Sequence, residues 1–391
     1  MINKAEIMKN IVIITNSKTH KKFAQEIAKS FEQDQDVLNI MMPKIMSGGE
    51  FNPKFIFEGQ AKNLKEKTVY LISTEGPFQN PQDRAMRNCI TIRAAKENGA
   101  EKVILVALDL SYSRQDRSVD EDPKMLGEAN TAKLYAELLK TAGVDEVITI
   151  HLHNKRVTKY HNDLSENNKK RIFNIQPTSL YAHYLLTKSS LIIKNKGENI
   201  VFISPDAGAK AFVEKVREQM FLPNSSILLL NKLRKEPNHP DKVIIDNPEL
   251  IGTETLDGKI GIIFDDIIDT GGTFLKTTNW LFNDTNHDLG KLEGLFANFT
   301  HSVMGGKSYQ DVQKKISENK HITEIVLIAT RPFIINKRET QFKKNSTVIE
   351  IPMFIADVIK RHNTGENIEE SYIFKNTKEM SETMNSLYKI S

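Results

Sequence analysis

Short, nearly uninterrupted apolar runs rich in β-branched residues recur along this chain, and polar or amphipathic stretches separate them. The runs are Ile11–Ile14, Val69–Ile72, Val103–Leu108, Val147–Ile150, Ile200–Ile203, Ile227–Leu230, Val243–Ile245, Ile260–Phe264 and Ile325–Ile328. A strand with one wet face alternates polar and apolar residues, whereas a run apolar at every position is buried on both faces, the mark of a parallel sheet covered by helices. The intervening stretches supply those helices. Phe23, Ile27 and Phe31 recur at a four-residue spacing, and Ala211, Phe212, Lys215, Val216 and Met220 read similarly. Leu134, Leu138 and Leu139 follow a start signal at Asn130-Thr131. Strand–helix alternation over this length gives an α/β fold with right-handed crossovers.

The chain has 391 residues, 27% charged and 39% hydrophobic, which excludes a wholly disordered chain and makes two or three domains the expectation. Its lone cysteine, Cys89, excludes an intrachain disulfide framework and a Cys-based zinc site, and fits a reducing compartment. Lys and Arg number 54 against 50 Asp and Glu, a formal charge of +4. That balance suits anionic small ligands and gives no reason to expect nucleic acid. No stretch approaches the roughly 20 apolar residues of a membrane helix. Ile11–Ile14 is too short for a signal-peptide core, so a soluble cytoplasmic protein is expected. The polar stretch His161–Arg171 reads as a linker or insertion, and Lys235–Asp241, with Pro237 and Pro240, reads as a surface loop within a domain. We expect a nucleotide-side domain over 7–165, which 353–391 can rejoin, and a catalytic domain over 166–352.

The densest chemistry lies in Ile260-Gly-Ile-Ile-Phe-Asp-Asp-Ile-Ile-Asp-Thr-Gly-Gly-Thr273. A buried strand ends in two acids, Asp265 and Asp266, and a glycine-rich turn then enters a helix. Free N–H groups at such a turn, helped by Thr hydroxyls, bind phosphate, and paired acids hold ribose hydroxyls or a hydrated metal. The plain alternative is a tight turn with capping Asp and Thr, which does not need two acids, two glycines and two threonines together. In Ser113-Arg114-Gln115-Asp116-Arg117, Arg114 can fork onto phosphate or stack on a base, and Gln115 can bond an adenine edge; a solvated charged loop is the alternative. Lys232 and Arg234 lie two apart after a strand and would point the same way on an extended backbone, two cations that want an anion between them.

These stretches resemble the ribose-phosphate diphosphokinases, the phosphoribosyl pyrophosphate synthetases. The glycine-rich turn alone also resembles type I phosphoribosyltransferases, and Arg114-Gln115 selects the diphosphokinases. Further matches follow in the family's order: Met46-Ser-Gly-Gly-Glu50, Thr149-Ile-His-Leu-His153, Ser204-Pro-Asp-Ala-Gly208, Asn231-Lys-Leu-Arg234 and Thr300-His301. The resemblance implies two similar phosphoribosyltransferase-like domains, each a mainly parallel sheet flanked by helices. It implies ATP on Gly48, Gly49, Glu50, Arg114 and Gln115, and ribose 5-phosphate on Asp265, Asp266, Asp269, Thr270, Gly271, Gly272 and Thr273. Lys232 and Arg234 take the catalytic role on a flexible loop, and His153 and Asp206 bind Mg2+. Magnesium prefers oxygen donors, so only the resemblance brings His153 in, and Asp206 read alone caps a helix starting near Ala207. The implied reaction moves the diphosphoryl group of Mg-ATP to the 1-hydroxyl of ribose 5-phosphate, in a homo-oligomer built from dimers up to a hexamer. A non-catalytic regulatory paralog is the alternative. The chain departs from the pattern at Gly48, where the family carries an acid, at His151, where it carries Asp, and at Leu108-Asp109-Leu110-Ser111, where it is aromatic and proline-rich. Asn154–Arg171 and Arg331–Asn345 look expanded.

Overall fold

A computed structural model describes residues 10–17, 21–31, 41–57, 60–61, 63–74, 80–165, 167–234, 243–283, 288–304, 309–332 and 340–391. The loop expected at Lys235–Asp241 lies outside the described residues. The chain forms two compact units. Unit 1 comprises 1–175, 330–333 and 351–371, and unit 2 comprises 176–329, 334–350 and 372–391.

Unit 1 contains β1 (Ile11–Thr15), β2 (Met41–Ile45), β3 (Phe51–Phe57), β4 (Gln60–Ala61), β5 (Thr68–Ser73), β6 (Lys102–Ala107), β7 (Glu146–Ile150) and β8 (Ile172–Ile175). Its helices are α1 (Lys21–Lys29), α2 (Pro81–Glu97), α3 (Thr131–Ala142) and α4 (Lys155–Asp163). The main sheet runs β1-β5-β6-β7-β8, parallel throughout, while β2, β3 and β4 form a separate antiparallel sheet. Val69, Leu71, Val103, Leu105 and Val147 are fully buried, as expected of strands covered on both faces. Asn80 starts α2 by accepting from the Asp83 N–H at 2.7 Å, with Pro81 in the first turn; Gly143, at φ +101°, ends α3.

Two expectations shift here. The sequence divides the chain at 165/166, but the described contacts divide it after Ile175, because the unpredicted β8 pairs with β7 from Val147↔Ile172 to Ile150↔Ile175. Helix α3 buries Tyr135, Ala136 and Leu139 and leaves Leu134 and Leu138 exposed, so its inward face is rotated from the expected one. The later helix Pro352–Asn363 belongs to unit 1. Its buried His362 places Nδ1 2.9 Å from the Tyr70 hydroxyl and Nε2 3.0 Å from Glu146, which also meets Lys102 at 2.7 Å. Burial alone would raise the Glu146 carboxyl; hydrogen bonds from His362 and Lys102 outweigh it and hold the group below its ordinary value.

Unit 2 contains β9 (Ile200–Ser204), β10 (Ser226–Arg234), β11 (Val243–Ile251), β12 (Ile260–Ile268), β13 (Gly294–Ser302), β14 (Ile322–Ile328), β15 (Ser346–Glu350) and β16 (Lys389–Ile390). Its longer helices are α5 (Thr178–Thr187), α6 (Lys210–Gln219), α7 (Gly272–Asn283) and α8 (Tyr309–Ser317). Sheet order is β11-β10-β9-β12-β13-β14-β15-β16, parallel from β10 to β15 with an antiparallel strand at each edge. Strand β10 pairs on one side of β9, and β12 on the other. The winding therefore reverses at β9, and in open α/β sheets ligands bind at the carboxyl ends of the strands flanking such a reversal. Among the described residues no helix is long and apolar enough to cross a membrane. The architecture is thus α/β, with largely parallel sheets flanked by helices.

Among the described residues, His161 of unit 1 and His183 of unit 2 are buried imidazoles held neutral. Burial, with Arg171 adding to it, lowers His161 to about 4; burial, with Lys188 adding, lowers His183 to about 4. An unfolded chain binds these protons near pH 6.5, so both groups support the fold fully above that pH. Their support drains as pH falls from 6.5 to 4, at about 1.4 kcal/mol per pH unit for each. Urea unfolding across that range will show stability falling with acid, and His161→Leu will flatten the slope by one proton. An unchanged slope in a folded His161→Leu protein would refute this assignment.

Candidate functional site

Strand β12 carries its acids inside the strand rather than beyond it. The expected Ile260–Phe264 extends to Ile268, with Phe264↔Asn298 and Asp265↔Phe299 paired to β13, and Asp265 and Asp266 are half-buried. Only Asp269, Thr270 and Gly271 separate β12 from α7. So sharp a turn needs Gly271 at φ +66°, a conformation that costs an L-residue roughly 1–2 kcal/mol. The first helical acceptor is Gly271 O, which takes the Leu275 N–H at 2.9 Å. Among the described residues the N–H groups of Gly272, Thr273 and Phe274 find no acceptor, leaving the partial positive charge typical of a helix start. Amides with no acceptor among the described residues, Thr hydroxyls and two acids at the carboxyl end of β12 supply donors suited to an anion beside acceptors suited to hydroxyl groups.

The sheet reversal sets Asp206 at the same end. It follows β9, which pairs with β12 through Ile203↔Ile263. Asp206 Oδ1 accepts from the Gly208 and Ala209 N–H groups at 2.9 and 3.1 Å, just ahead of α6. The helix therefore starts at Lys210, not near Ala207, and Asp206 closes the turn that leads into it. Oδ2 has no protein partner among the described residues, so one carboxylate oxygen is open to a cation.

Sequence reading missed Tyr181 of α5, which is fully buried with its hydroxyl 3.1 Å from Thr300 Oγ1. Burial raises its pKa, and the negative fields of Asp265 and Asp266 raise it further, so the phenol stays protonated near those acids. Thr300 and His301 lie buried in β13. Lys232 and Arg234 differ from expectation. They lie in the outer part of β10, paired antiparallel to β11 as Lys232↔Ile245 and Arg234↔Val243 beyond an irregularity between Leu229 and Asn231.

In unit 1, β6 and β7 carry the other candidates past their carboxyl ends. Arg114 and Gln115 are exposed, in a turn fixed by Tyr112 at φ +63° and by the Gln115 N–H bonding Tyr112 O at 2.9 Å. The Ala132 N–H bonds Gln115 O at 3.0 Å, and the Tyr160 hydroxyl of α4 donates to Asp116 O at 2.7 Å. The backbone N–H of Ser118 holds the Glu121 carboxyl below its ordinary value, with Arg156 adding to the effect. Exposed His153 follows buried His151, whose φ of +45° turns the chain out of β7. Gly48, Gly49 and Glu50 occupy the exposed tip of the β2–β3 hairpin, where Gly49 has φ +88°. That hairpin belongs to a different sheet from the one whose ends carry Arg114 and His153.

The two adjacent glycines are not equivalent. A Cβ on Gly272 would meet only Thr270 Oγ1, at 3.7 Å, whereas Gly271 carries the positive φ. Gly271→Ala will cost about 1 kcal/mol in urea unfolding, and Gly272→Ala will be neutral or stabilise slightly. Equal costs would contradict this reading of the turn.

Comparison with known proteins agrees with this layout. The family described as the N-terminal domain of ribose phosphate pyrophosphokinase matches residues 12–143, and the phosphoribosyl synthetase-associated domain matches 223–375. Ribose-phosphate pyrophosphokinase 3 of Saccharomyces cerevisiae is 28% identical over 317 residues, covering 81% of this chain and 84% of the yeast protein. The ribose-phosphate pyrophosphokinase of Clostridium perfringens is 29% identical, covering 90% of this chain and 94% of the relative. The crystal structure of phosphoribosylpyrophosphate synthetase from Mycobacterium smegmatis shares the fold, with a TM-score of 0.68 at 22% identity over 91% of this chain and 99% of that one. Motifs, sheet order and relatives agree, and the chain belongs to the ribose-phosphate pyrophosphokinase family.

Proposed function

We propose that this protein transfers the diphosphoryl group of ATP to the 1-hydroxyl of ribose 5-phosphate, releasing phosphoribosyl diphosphate and AMP, and that it works as a cytoplasmic homo-oligomer. The observation that carries this reading is the head of α7. There the amides of Gly272, Thr273 and Phe274, lacking acceptors among the described residues, follow two acids and lie at the carboxyl end of a strand flanking the sheet reversal. Those amides, with Asp269, Thr270, Gly271 and the Thr273 hydroxyl, take the 5-phosphate, and Asp265 and Asp266 orient the ribose hydroxyls. Arg114 and Gln115, with Gly48, Gly49 and Glu50 as further candidates, fix the nucleotide.

The sugar hydroxyl attacks the β-phosphorus, and the α–β bridging oxygen leaves with AMP. Such a transfer depends on alignment and charge neutralisation more than on covalent help from the protein. Lys232 and Arg234 stabilise the charge that develops on the transferred group.

Among the described residues no three His, Cys, Asp or Glu side chains cluster to hold a metal. A magnesium ion that keeps most of its shell on phosphate and water suits this thin donor set. Asp206, through its open Oδ2, and His153 are the candidate protein contacts. Bound there, magnesium would neutralise and orient the triphosphate.

Purified protein given Mg-ATP and ribose 5-phosphate will release AMP only when both substrates are present. Lys232→Ala will cut turnover about 10²–10³-fold, the loss expected for a preorganised cation at a centre of developing charge, while ATP still binds. No AMP release from the wild-type chain under these conditions would sink the catalytic reading and leave a nucleotide-binding paralog.

A further inference from the structure

The departure at Leu108-Asp109-Leu110-Ser111 has a physical counterpart in unit 1. Asp109 is 7% exposed, and two buried arginines from distant parts of the chain converge on it. Arg331 Nε donates to Asp109 Oδ2 at 2.6 Å, its Nη2 pairs with the same oxygen, and Arg84 Nη2 stands 3.7 Å away. Arg84 Nε donates to Ser111 Oγ at 3.0 Å, and the neighbouring Thr330 O accepts from Thr74 Oγ1 at 2.8 Å. The Arg84 Nη1 atom is buried and has no partner among the described residues. Two fixed guanidiniums therefore grip one loop at Asp109 and Ser111. The turn from Leu110 O through the Ser113 N–H, and from Tyr112 O through the Gln115 N–H, carries that grip onward to Arg114 and Gln115.

We propose that Asp109, held by Arg84 and Arg331, is a positioning residue for nucleotide binding: the buried ion cluster sets where the Arg114-Gln115 turn stands. The inference rests on the reading of Arg114 and Gln115 as nucleotide contacts. Buried ion pairs contribute little net stability but fix geometry strongly, since a charged group loses its pairing if it moves. A turn on which two exposed ligand-binding side chains sit needs such fixing, because a displacement of about 1 Å can cost orders of magnitude in productive binding.

The clean variant is Arg331→Met. It leaves Asp109 paired to Arg84, so no bare carboxylate is buried. Titration calorimetry should show Mg-ATP affinity falling about tenfold, the loss expected of one charge-assisted contact. Ribose 5-phosphate affinity should hold, and Arg331→Lys should recover part of the ATP affinity. If Arg331→Met does not fold, Ser111→Ala, which removes the second anchor, is read in the same way. Unchanged ATP affinity in a folded variant, or an equal loss for both ligands, overturns the positioning role. Wild-type protein that binds no Mg-ATP overturns the functional reading beneath it, which separates the two failures.

Discussion

The acceptor-free amides at the head of α7 follow from how little chain joins β12 to α7. Three residues carry the backbone from a buried parallel strand into a helix, and the N–H groups of Gly272, Thr273 and Phe274 find no acceptor among the described residues. Gly271 makes that path possible by taking φ +66°. A longer connection could fold back and satisfy the amides with its own carbonyls or a capping side chain. Here Asp269 and Thr270 occupy the turn, and the donors keep no acceptor among the described residues.

The sheet topology then decides what faces those donors. Because β10 and β12 flank β9, the carboxyl ends of β9 and β12 border the one place where the crossovers diverge. Asp206 closes the turn into α6 there with one oxygen and leaves the other open. Tyr181 adds a phenol that burial and the nearby Asp265 and Asp266 keep protonated, with its hydroxyl 3.1 Å from Thr300 Oγ1. An anion cradle and an acid pair thus coexist on one strand end: the amides draw negative charge to the head of α7, and the carboxylates draw hydroxyl donors or a hydrated cation.

The sequence announces this arrangement unevenly, and the reasons are physical. Strands such as Val69–Ile72 and Val103–Leu108 are legible because burial on both faces erases every polar position. Strand β13 is hidden by the opposite circumstance. Asn298, Thr300, His301 and Ser302 are all buried in it, and a run Phe-Ala-Asn-Phe-Thr-His-Ser reads as a loop until Tyr181 and Ile263 O are seen to pair with its polar groups. Strand β8 is short and flanked by charge, so the domain division moved ten residues. Leu134 and Leu138 misled because a leucine spacing marks a helix face without saying which way it turns. The glycine-rich turn, in contrast, is local: its acids, glycines and threonines are neighbours in sequence, so its chemistry can be read there.

Contacts that join distant segments leave no such trace. Arg84, Asp109 and Arg331 are separated by tens to hundreds of residues, and each looks like a surface charge when read alone. Their convergence places Leu108-Asp109-Leu110-Ser111 under two buried guanidiniums. A loop rich in aromatic residues and proline can be stiffened by ring packing and fixed φ angles. This chain puts a carboxylate and a hydroxyl under two guanidiniums instead. Ring packing tolerates small slides at little cost, whereas a buried ion cluster does not, because each displaced charge loses both its partner and access to water. The cluster also ties the Arg114-Gln115 turn to Thr330 and Arg331, which join unit 1 long after the strand they hold.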